Sequence, residues 1–424
     1  MNKFKLYIFL ILIISSLTGE VFPVNEIMIN GDRDSRINIV FLGDGYTQEQ
    51  MGLFINDVNE VKNELFNQLP YQNYNNFFNI YAIEVPSNES GTDHPGTAPD
   101  CGNEINNVFF ADTYFDCAFD QYNIHRLVVI QNYSAAYDVL ADNLPEWDIV
   151  FVMVNHTMYG GSGGTFATFT RHSASDEIAI HEIGHTFPGL ADEYWAGFQY
   201  ANENANMSQE ANPDLVRWNS WMYNNGIGIY DYEAPGNDWH RPHQNCKMRY
   251  LGSPFCSVCI EQTILSIYNL VNINISFEPS ETTLSINLSS PPIYFSTENI
   301  LPEPNTLEFV WYINDLAVNS DQEYYFIPQN YNIGSYELKV EIIDNTDMVR
   351  NDPNYFMQNE ITWMIEITGT IGDVNSDYEI NILDIVSCVS IILNNDYQFA
   401  ADLNSDQEIN ILDVILLVAI ILNH

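Results

Sequence analysis

Apolar and polar positions divide the chain into stretches of different rhythm. From residue 24 to about 150, short apolar runs alternate with helical spacing. Ile37–Leu42 reads as a buried strand that ends in Gly43-Asp44-Gly45-Tyr46-Thr47. Residues 48–68 carry Met51, Phe54, Val58, Val61 and Leu65 at threes and fours, one face of a helix. Phe78–Val85, Leu127–Ile130 and Asp148–Val154 read as further strands, so this part is expected to be α/β. From about 270 to 368 the rhythm changes to strands separated by polar turns. Leu284–Leu288, Leu307–Ile313 and Tyr336–Ile343, with Trp311 inside a strand, predict an Ig-like β-sandwich. The last fifty residues hold two acidic loops, each running into an apolar helix.

Lys3 and Lys5 precede the apolar run Leu6–Ile14 and then Ser15-Ser16-Leu17-Thr18-Gly19, the pattern of an export signal over residues 1–20. No other segment is apolar enough to span a bilayer, so the mature chain is expected without an integral membrane segment, secreted or at the cell surface. The balance of 57 acidic against 13 basic residues, a formal charge of −44, argues against nucleic acid as a partner, because phosphate binding needs a basic surface. The six cysteines suit an oxidising destination. Cys101 and Cys117 lie in one polar stretch and are candidates to pair, with the connectivity left open by the sequence. Cys246, Cys256 and Cys259 lack a convincing fourth ligand, so a disulfide with one thiol left over is expected there. Cys388, in an apolar helical stretch, reads as core.

The chemistry concentrates in His181-Glu182-Ile183-Gly184-His185-Thr186-Phe187-Pro188-Gly189-Leu190-Ala191-Asp192-Glu193-Tyr194. Residues four apart share a helix face, so His181 and His185 can address one zinc ion, with Glu182 beside the first of them. Ser173 and Ser175 are N-cap candidates, and Asp176 and Glu177 complement the helix dipole. The helix is expected to stop near Pro188-Gly189, turning the chain back. In metzincin-type enzymes the third ligand follows such a glycine by three residues, which selects Asp192, although Gly189 falls one residue late for that pattern. Glu193 is the runner-up, as in thermolysin-like sites, with His240 and His243 more distant candidates. Tyr194, Tyr250 and His240 are candidates for a second oxyanion stabiliser. The glycine-rich Tyr159–Gly164 just upstream reads either as a loop or as a strand that takes up extended substrate.

The ordered series GDGYT at 43–47, FNIYAIEVPSNESGTD at 78–93, VNHTMYGGSGG at 154–164, HEIGHTFPGLADEY at 181–194, and CKMR at 246–249 with FCSVC at 255–259 resembles the IgA-peptidase family of secreted bacterial zinc metallopeptidases. The resemblance implies a zincin-like α/β domain over 24–268, with His181, His185 and Asp192 on Zn2+ and Glu182 catalytic. It implies a peptidase acting on protein or peptide substrates through a metal-activated water. It also suggests that Met248 sits in a turn beneath the metal.

Asp373–Asp384 recurs as Asp402–Asp413. Asp373, Asn375, Asp377, Glu379 and Asp384 occupy loop positions 1, 3, 5, 7 and 12, as do Asp402, Asn404, Asp406, Glu408 and Asp413. That is a Ca2+ ligand pattern in which position 7 lends its backbone carbonyl. The pair resembles a type I dockerin module over 371–424, small and all-α, whose implied partner is a cohesin-bearing scaffold. Position 6, normally glycine, is Tyr378 or Gln407. The expected molecule is thus multidomain: a zincin-like α/β unit, a β-sandwich over 270–368 and the repeats. Its competitors are a catalytically inactive zincin-fold adhesin and a zinc hydrolase of another amide or ester bond.

Overall fold

The computed structural model describes residues 21–423 except 234, 235, 237, 289, 376 and 378. The expected export signal lies outside that range. The first region is built on a six-stranded sheet comprising β1 (Val24–Met28), β2 (Ile37–Asp44), β3 (Phe78–Ile83), β4 (Ile149–Val154), β5 (Gly161–Ser162) and β6 (Ala167–Thr170), in the order β1-β3-β2-β4-β6-β5. The four inner strands run parallel, and β1 and β5 cap the edges antiparallel.

Strand alternation sorts the side chains of β2 between two layers. Ile37, Ile39 and Phe41 meet helix α1 (Met51–Leu65) through Phe54 and Val58, together with Ile178 and Ile183 of the helix α3 described below. Val40 and Leu42 face the other way, onto Ala136, Val139 and Leu140 of α2 (Tyr133–Asn143). Helix α3 (Ser175–Thr186) lies against β6 and α1. The chain then runs through long loops and the small hairpin of β7 (Tyr230–Asp231) and β8 (His240–Arg241) to α4 (Ser257–Leu270).

The strand expected at Leu127–Ile130 is not a strand. Only Val129 forms a bridge, to Ala118, although Val128 and Ile130 are buried. The apolar run is inserted into the core from an irregular segment, and the backbone has no straight neighbour to pair with. That segment is held by Asp44, whose buried carboxylate accepts from Thr113 Oγ1 and from the amides of Phe115 and Cys117, each at 2.9 Å. The aspartate of GDGYT is therefore a backbone organiser, and burial raises its pKa.

The next strands form two sheets. β10 (Thr283–Asn287), β12 (Leu307–Ile313), β13 (Leu316–Asn319), β15 (Gly334–Asp344) and β16 (Gln358–Thr368) make one; β9 (Asn274–Glu278), β11 (Ile293–Asn299) and β14 (Glu323–Phe326) make the other. Burial alternates along β12 and β16, as expected for strands with one wet face. Trp363 of β16 stacks on Trp311 and takes the edges of Phe277 and Phe295 from the smaller sheet. One continuous buried core runs from the first sheet through Ile264, Ile267 and Tyr268 of α4 to these rings.

Helices α5 (Ile382–Asn394) and α6 (Ile411–Asn423) follow, with a small core of Val374, Cys388, Ala401, Val414 and Leu417. Among the described residues, no helix is long and apolar enough to cross a membrane.

Candidate active site

Helix α3 starts at Ser175, and Ala174, not a serine, occupies the cap without a side-chain bond. The Ala174 amide is taken by His172 Nδ1 at 3.1 Å, so neither Ser173 nor Ser175 caps the helix as expected. The helix ends at Thr186, and Gly189 adopts φ 66°, the left-handed turn that its position predicts. The turned-back chain is held by the Leu190 amide on the Gly184 carbonyl at 2.8 Å.

This return brings Asp192 to the two histidines. His181 Nε2 and His185 Nε2 are 3.2 Å apart, and Asp192 Oδ1 lies 3.1 Å from the first and 3.3 Å from the second. Zinc at about 2.0–2.1 Å from nitrogen or oxygen sets tetrahedral neighbours about 3.3–3.4 Å apart, so these donors have the spacing of one tetrahedral face. The outer ring nitrogens are anchored: His181 Nδ1 to the Lys247 carbonyl at 3.1 Å, and His185 Nδ1 to the Leu190 carbonyl at 2.7 Å. With Nδ1–H donating outward, each Nε2 lone pair is free for a metal, so the residues fit the ion. Burial raises the Asp192 carboxyl, but hydrogen bonds from His181 and His185 outweigh it and hold the group below the usual carboxylate range.

Glu182 lines a cavity of ≈ 280 Å³ together with His181, Tyr194, Arg126 and Tyr159. Burial raises its pKa, partly offset by the two histidines. Gly161 of β5 packs against its wall: a Cβ there would sit 2.5 Å from Ile178 Cγ2 and 3.3 Å from Glu182 Oε1. A Cβ on Gly163 would sit 2.9 Å from His185 Cβ and 3.1 Å from Glu182 Oε2, so glycine allows the backbone to approach the chemistry this closely. Beneath α3, Met248 is fully buried, and its Sδ would lie 2.7 Å from a Cβ on Gly184. The Met248 carbonyl also accepts from the Glu193 amide at 2.8 Å.

The remaining candidates separate. The Tyr194 ring stacks parallel to His181 at 6.4 Å, and its hydroxyl is 3.4 Å from Arg126 Nη2. Tyr250 is half exposed under Arg249, and His240 pairs with Asp231 in the hairpin. His243 Nδ1 accepts from the Asn245 amide. Glu193 turns away from the histidines, into a buried group with Cys246, Cys256 and Cys259. Tyr159 heads the glycine-rich stretch singled out in the sequence, whereas Arg126 was not legible there, because no local pattern marks a loop residue that the fold brings to a helix from more than twenty positions away.

All six cysteines are free thiols: the candidate Cys101–Cys117 pair does not form, nor does the disulfide expected among Cys246, Cys256 and Cys259. Cys117 lies by Asp44, and Cys101 is grouped with His94, Asp120 and His125.

In the C-terminal loops the position 12 carboxylates are fully buried. Asp384 accepts from the amides of Asn375 and Asn381, and Asp413 from those of Leu403 and Asn410. Asp373 and Asp402 are buried, whereas Asp377, Glu379, Asn404, Asp406 and Glu408 are exposed and Asn375 is half-buried. Gln407 stands at φ 67°, a left-handed position where glycine is usual; Tyr378 lies outside the described residues.

Residues 26–229 match the family model described as IgA Peptidase M64, and residues 371–422 match that of the dockerin type I domain. No curated protein matches the chain. Among solved structures, a quinonprotein alcohol dehydrogenase-like protein from Bacteroides thetaiotaomicron is 10% identical over 22% of this chain and 19% of that one, with a TM-score of 0.17. The chain thus spans about a fifth of that structure, and the likeness carries no argument. Motifs and family models agree that residues 26–229 resemble the IgA Peptidase M64 family and residues 371–422 the dockerin type I domain.

Proposed function

We propose that the chain is a secreted or cell-surface zinc endopeptidase that cleaves extracellular proteins and is attached through its calcium-binding repeats to a cohesin-bearing scaffold. In this reading residues 24–268 are a zincin-like catalytic domain, 270–368 an Ig-like β-sandwich and 371–424 the dockerin module. The observation that carries it is the triangle of His181, His185 and Asp192 donors, 3.1–3.3 Å on each side, with Glu182 on the wall of the adjoining cavity. Glu193 faces the thiols, which favours Asp192 as third ligand.

When bound, zinc supplies Lewis acidity to the substrate carbonyl and brings the pKa of a water down to about 7. Glu182 takes the proton released by the attacking water and returns it to the leaving nitrogen, which must carry it for the C–N bond to break. Tyr194, steadied by Arg126, is the O–H donor for the charge that develops on the carbonyl oxygen. An extended peptide would run beside the glycine-rich stretch that includes β5, where Gly161 and Gly163 let it lie close to Glu182. Asp373, Asn375, Asp377, Glu379 and Asp384, with Asp402, Asn404, Asp406, Glu408 and Asp413, hold two calcium ions.

The test is incubation of mature protein and its Glu182→Ala variant with a broad peptide library, with and without a zinc chelator. Cleavage that is lost in both controls supports the peptidase. Tightly bound zinc with no cleavage of any peptide would favour the inactive adhesin instead.

A further inference from the structure

Among the described residues, two groups of metal-ligating side chains lie outside the site described above, buried except for the half-buried His125. In the first, His94 Nε2, Cys101 Sγ, Asp120 Oδ1 and His125 Nδ1 converge. His125 Nδ1 is 3.3 Å from His94 Nε2, 3.3 Å from Cys101 Sγ and 3.0 Å from Asp120 Oδ1; Asp120 Oδ1 is 3.3 Å from the thiol and 3.5 Å from His94 Nε2. These are the edges of a tetrahedron around an ion bound at about 2.0–2.3 Å. Outer atoms are tied down: His94 Nδ1 to the Asn107 carbonyl at 2.6 Å, and Asp120 Oδ2 to the Thr97 amide at 2.7 Å. Protons are too few for the inner contacts. With His94 donating from Nδ1, its Nε2 carries a lone pair, and only the thiol and one nitrogen of His125 can donate among five contacts. A cation satisfies all four atoms at once.

In the second group, Cys259 Sγ lies 3.7 Å from Cys246 Sγ, 3.6 Å from Cys256 Sγ and 3.5 Å from Glu193 Oε1. A disulfide needs about 2.05 Å, whereas thiolates about 2.3 Å from one zinc stand about 3.7–3.8 Å apart. Glu193 is fully buried, and its Oε2 has no hydrogen-bond partner. A buried carboxylate with an orphaned oxygen among three thiols lacks the positive charge that would justify its burial. Glu193, 53 positions upstream of Cys246, is the fourth ligand that the three cysteines alone do not reveal.

We propose that each group holds a structural zinc ion, His94/Cys101/Asp120/His125 at one and Glu193/Cys246/Cys256/Cys259 at the other. Imidazole and thiolate donors in a closed four-ligand set suit zinc and leave no position for substrate. The first ion staples an irregular segment in which Asp120, Tyr122 and Asn123 all take positive φ. It also fixes His125 next to Arg126, whose carbonyl accepts from the Gly161 amide of β5 at 3.1 Å. The second ion clamps the start of α4 to Glu193, the neighbour of Asp192. Both therefore brace the cavity rim from outside.

The test is zinc counted per chain by plasma mass spectrometry on the full-length protein, with three ions expected, one per group. His94→Ala/His125→Ala, Cys256→Ser and His181→Ala/His185→Ala should each remove one ion and leave the other two. A count that a given substitution leaves unchanged overturns that site, and a wild-type count of one overturns both. If a variant fails to fold, X-ray absorption at the zinc edge of wild-type protein decides: four sulfur ligands shared among three ions support the pair, and a sulfur-free shell overturns it. Loss of the catalytic ion alone in the His181/His185 variant keeps this question separate from whether the chain is a peptidase.

Discussion

The Nδ1 nitrogen of His181 lies 3.1 Å from the carbonyl oxygen of Lys247, while the ammonium of the same Lys247 pairs with Glu177 one helical turn before the histidine. One residue thus orients a proposed ligand by its backbone and pins the first turn of α3 by its side chain. Lys247 is buried, and Glu177 also accepts from the Gly252 amide at 2.5 Å. Glu177→Gln leaves the ammonium without its counter-charge and should cost about 3 kcal/mol at neutral pH, the low end for a broken buried pair because Glu177 is partly exposed. Burial raises the Glu177 carboxyl, but the bonds from Lys247 and Gly252 outweigh it and hold it below 4.5. The sign follows: the contribution is complete above about pH 4.5 and is lost as pH falls through the lower folded value. Urea unfolding of both proteins at neutral and acid pH should show the gap closing on the acid side.

Glu182→Gln should lower kcat/KM by about 10²–10⁴, the usual contribution of a general acid–base group, with bound zinc retained. Asp192→Ala should instead lower zinc affinity itself. Zinc titration with a chromogenic chelator, run beside peptide hydrolysis, separates the two; unaltered zinc affinity in Asp192→Ala would remove Asp192 from the ligand set.

Glycine positions give a paired prediction. Gly163→Ala forces a methyl against His185 and Glu182 and should destabilise by about 1–3 kcal/mol with a larger loss of activity. Gly52, in α1, meets nothing within 4 Å of a Cβ, so Gly52→Ala should stabilise by about 0.5–1 kcal/mol. Calorimetric Tm shifts of opposite sign are the expected result.

Asp344 accepts from Tyr74 at 2.7 Å, Tyr268 at 2.6 Å and Thr306 at 2.5 Å, joining α4 and the loop before β3 to the end of β15. Asp344→Ala should cost about 3 kcal/mol, because the buried Tyr74 and Tyr268 hydroxyls and the half-buried Thr306 lose their acceptor. With one core spanning both regions, residues 21–368 should still unfold in a single transition. Scanning calorimetry showing two separate transitions within that span would contradict the shared core.

Calcium titration followed by calorimetry should give two ions per chain in wild type and one in Asp384→Ala. The fully buried Asp384 carboxylate already organises its loop through two backbone amides, so its removal damages that loop alone.

What the sequence reveals of this molecule is whatever lies within one or two turns of chain. His181, Glu182 and His185 are related by helix geometry, and Asp192 by a glycine turn, so all four were legible. β2, α1 and β4 were legible because their burial repeats with the period of the element. Arg126 joins the cavity by tertiary placement and carries no local signature. The cysteines misled for the same reason: Cys101 is grouped with two histidines and an aspartate spread over 94–125, and Cys246, Cys256 and Cys259 with a glutamate at least 53 positions away, so the thiols on their own pointed to disulfides. Leu127–Ile130 has the composition of a strand but no straight partner beside it.

The thiol group closed by Glu193 has a further meaning for how the molecule is made. With Cys246, Cys259 and Glu193 fully sealed and Cys256 nearly so, nothing dissolved in the medium reaches these atoms in the folded chain. An ion held there would enter most readily before the chain has closed around it, so its identity would reflect the metals present where the chain folds.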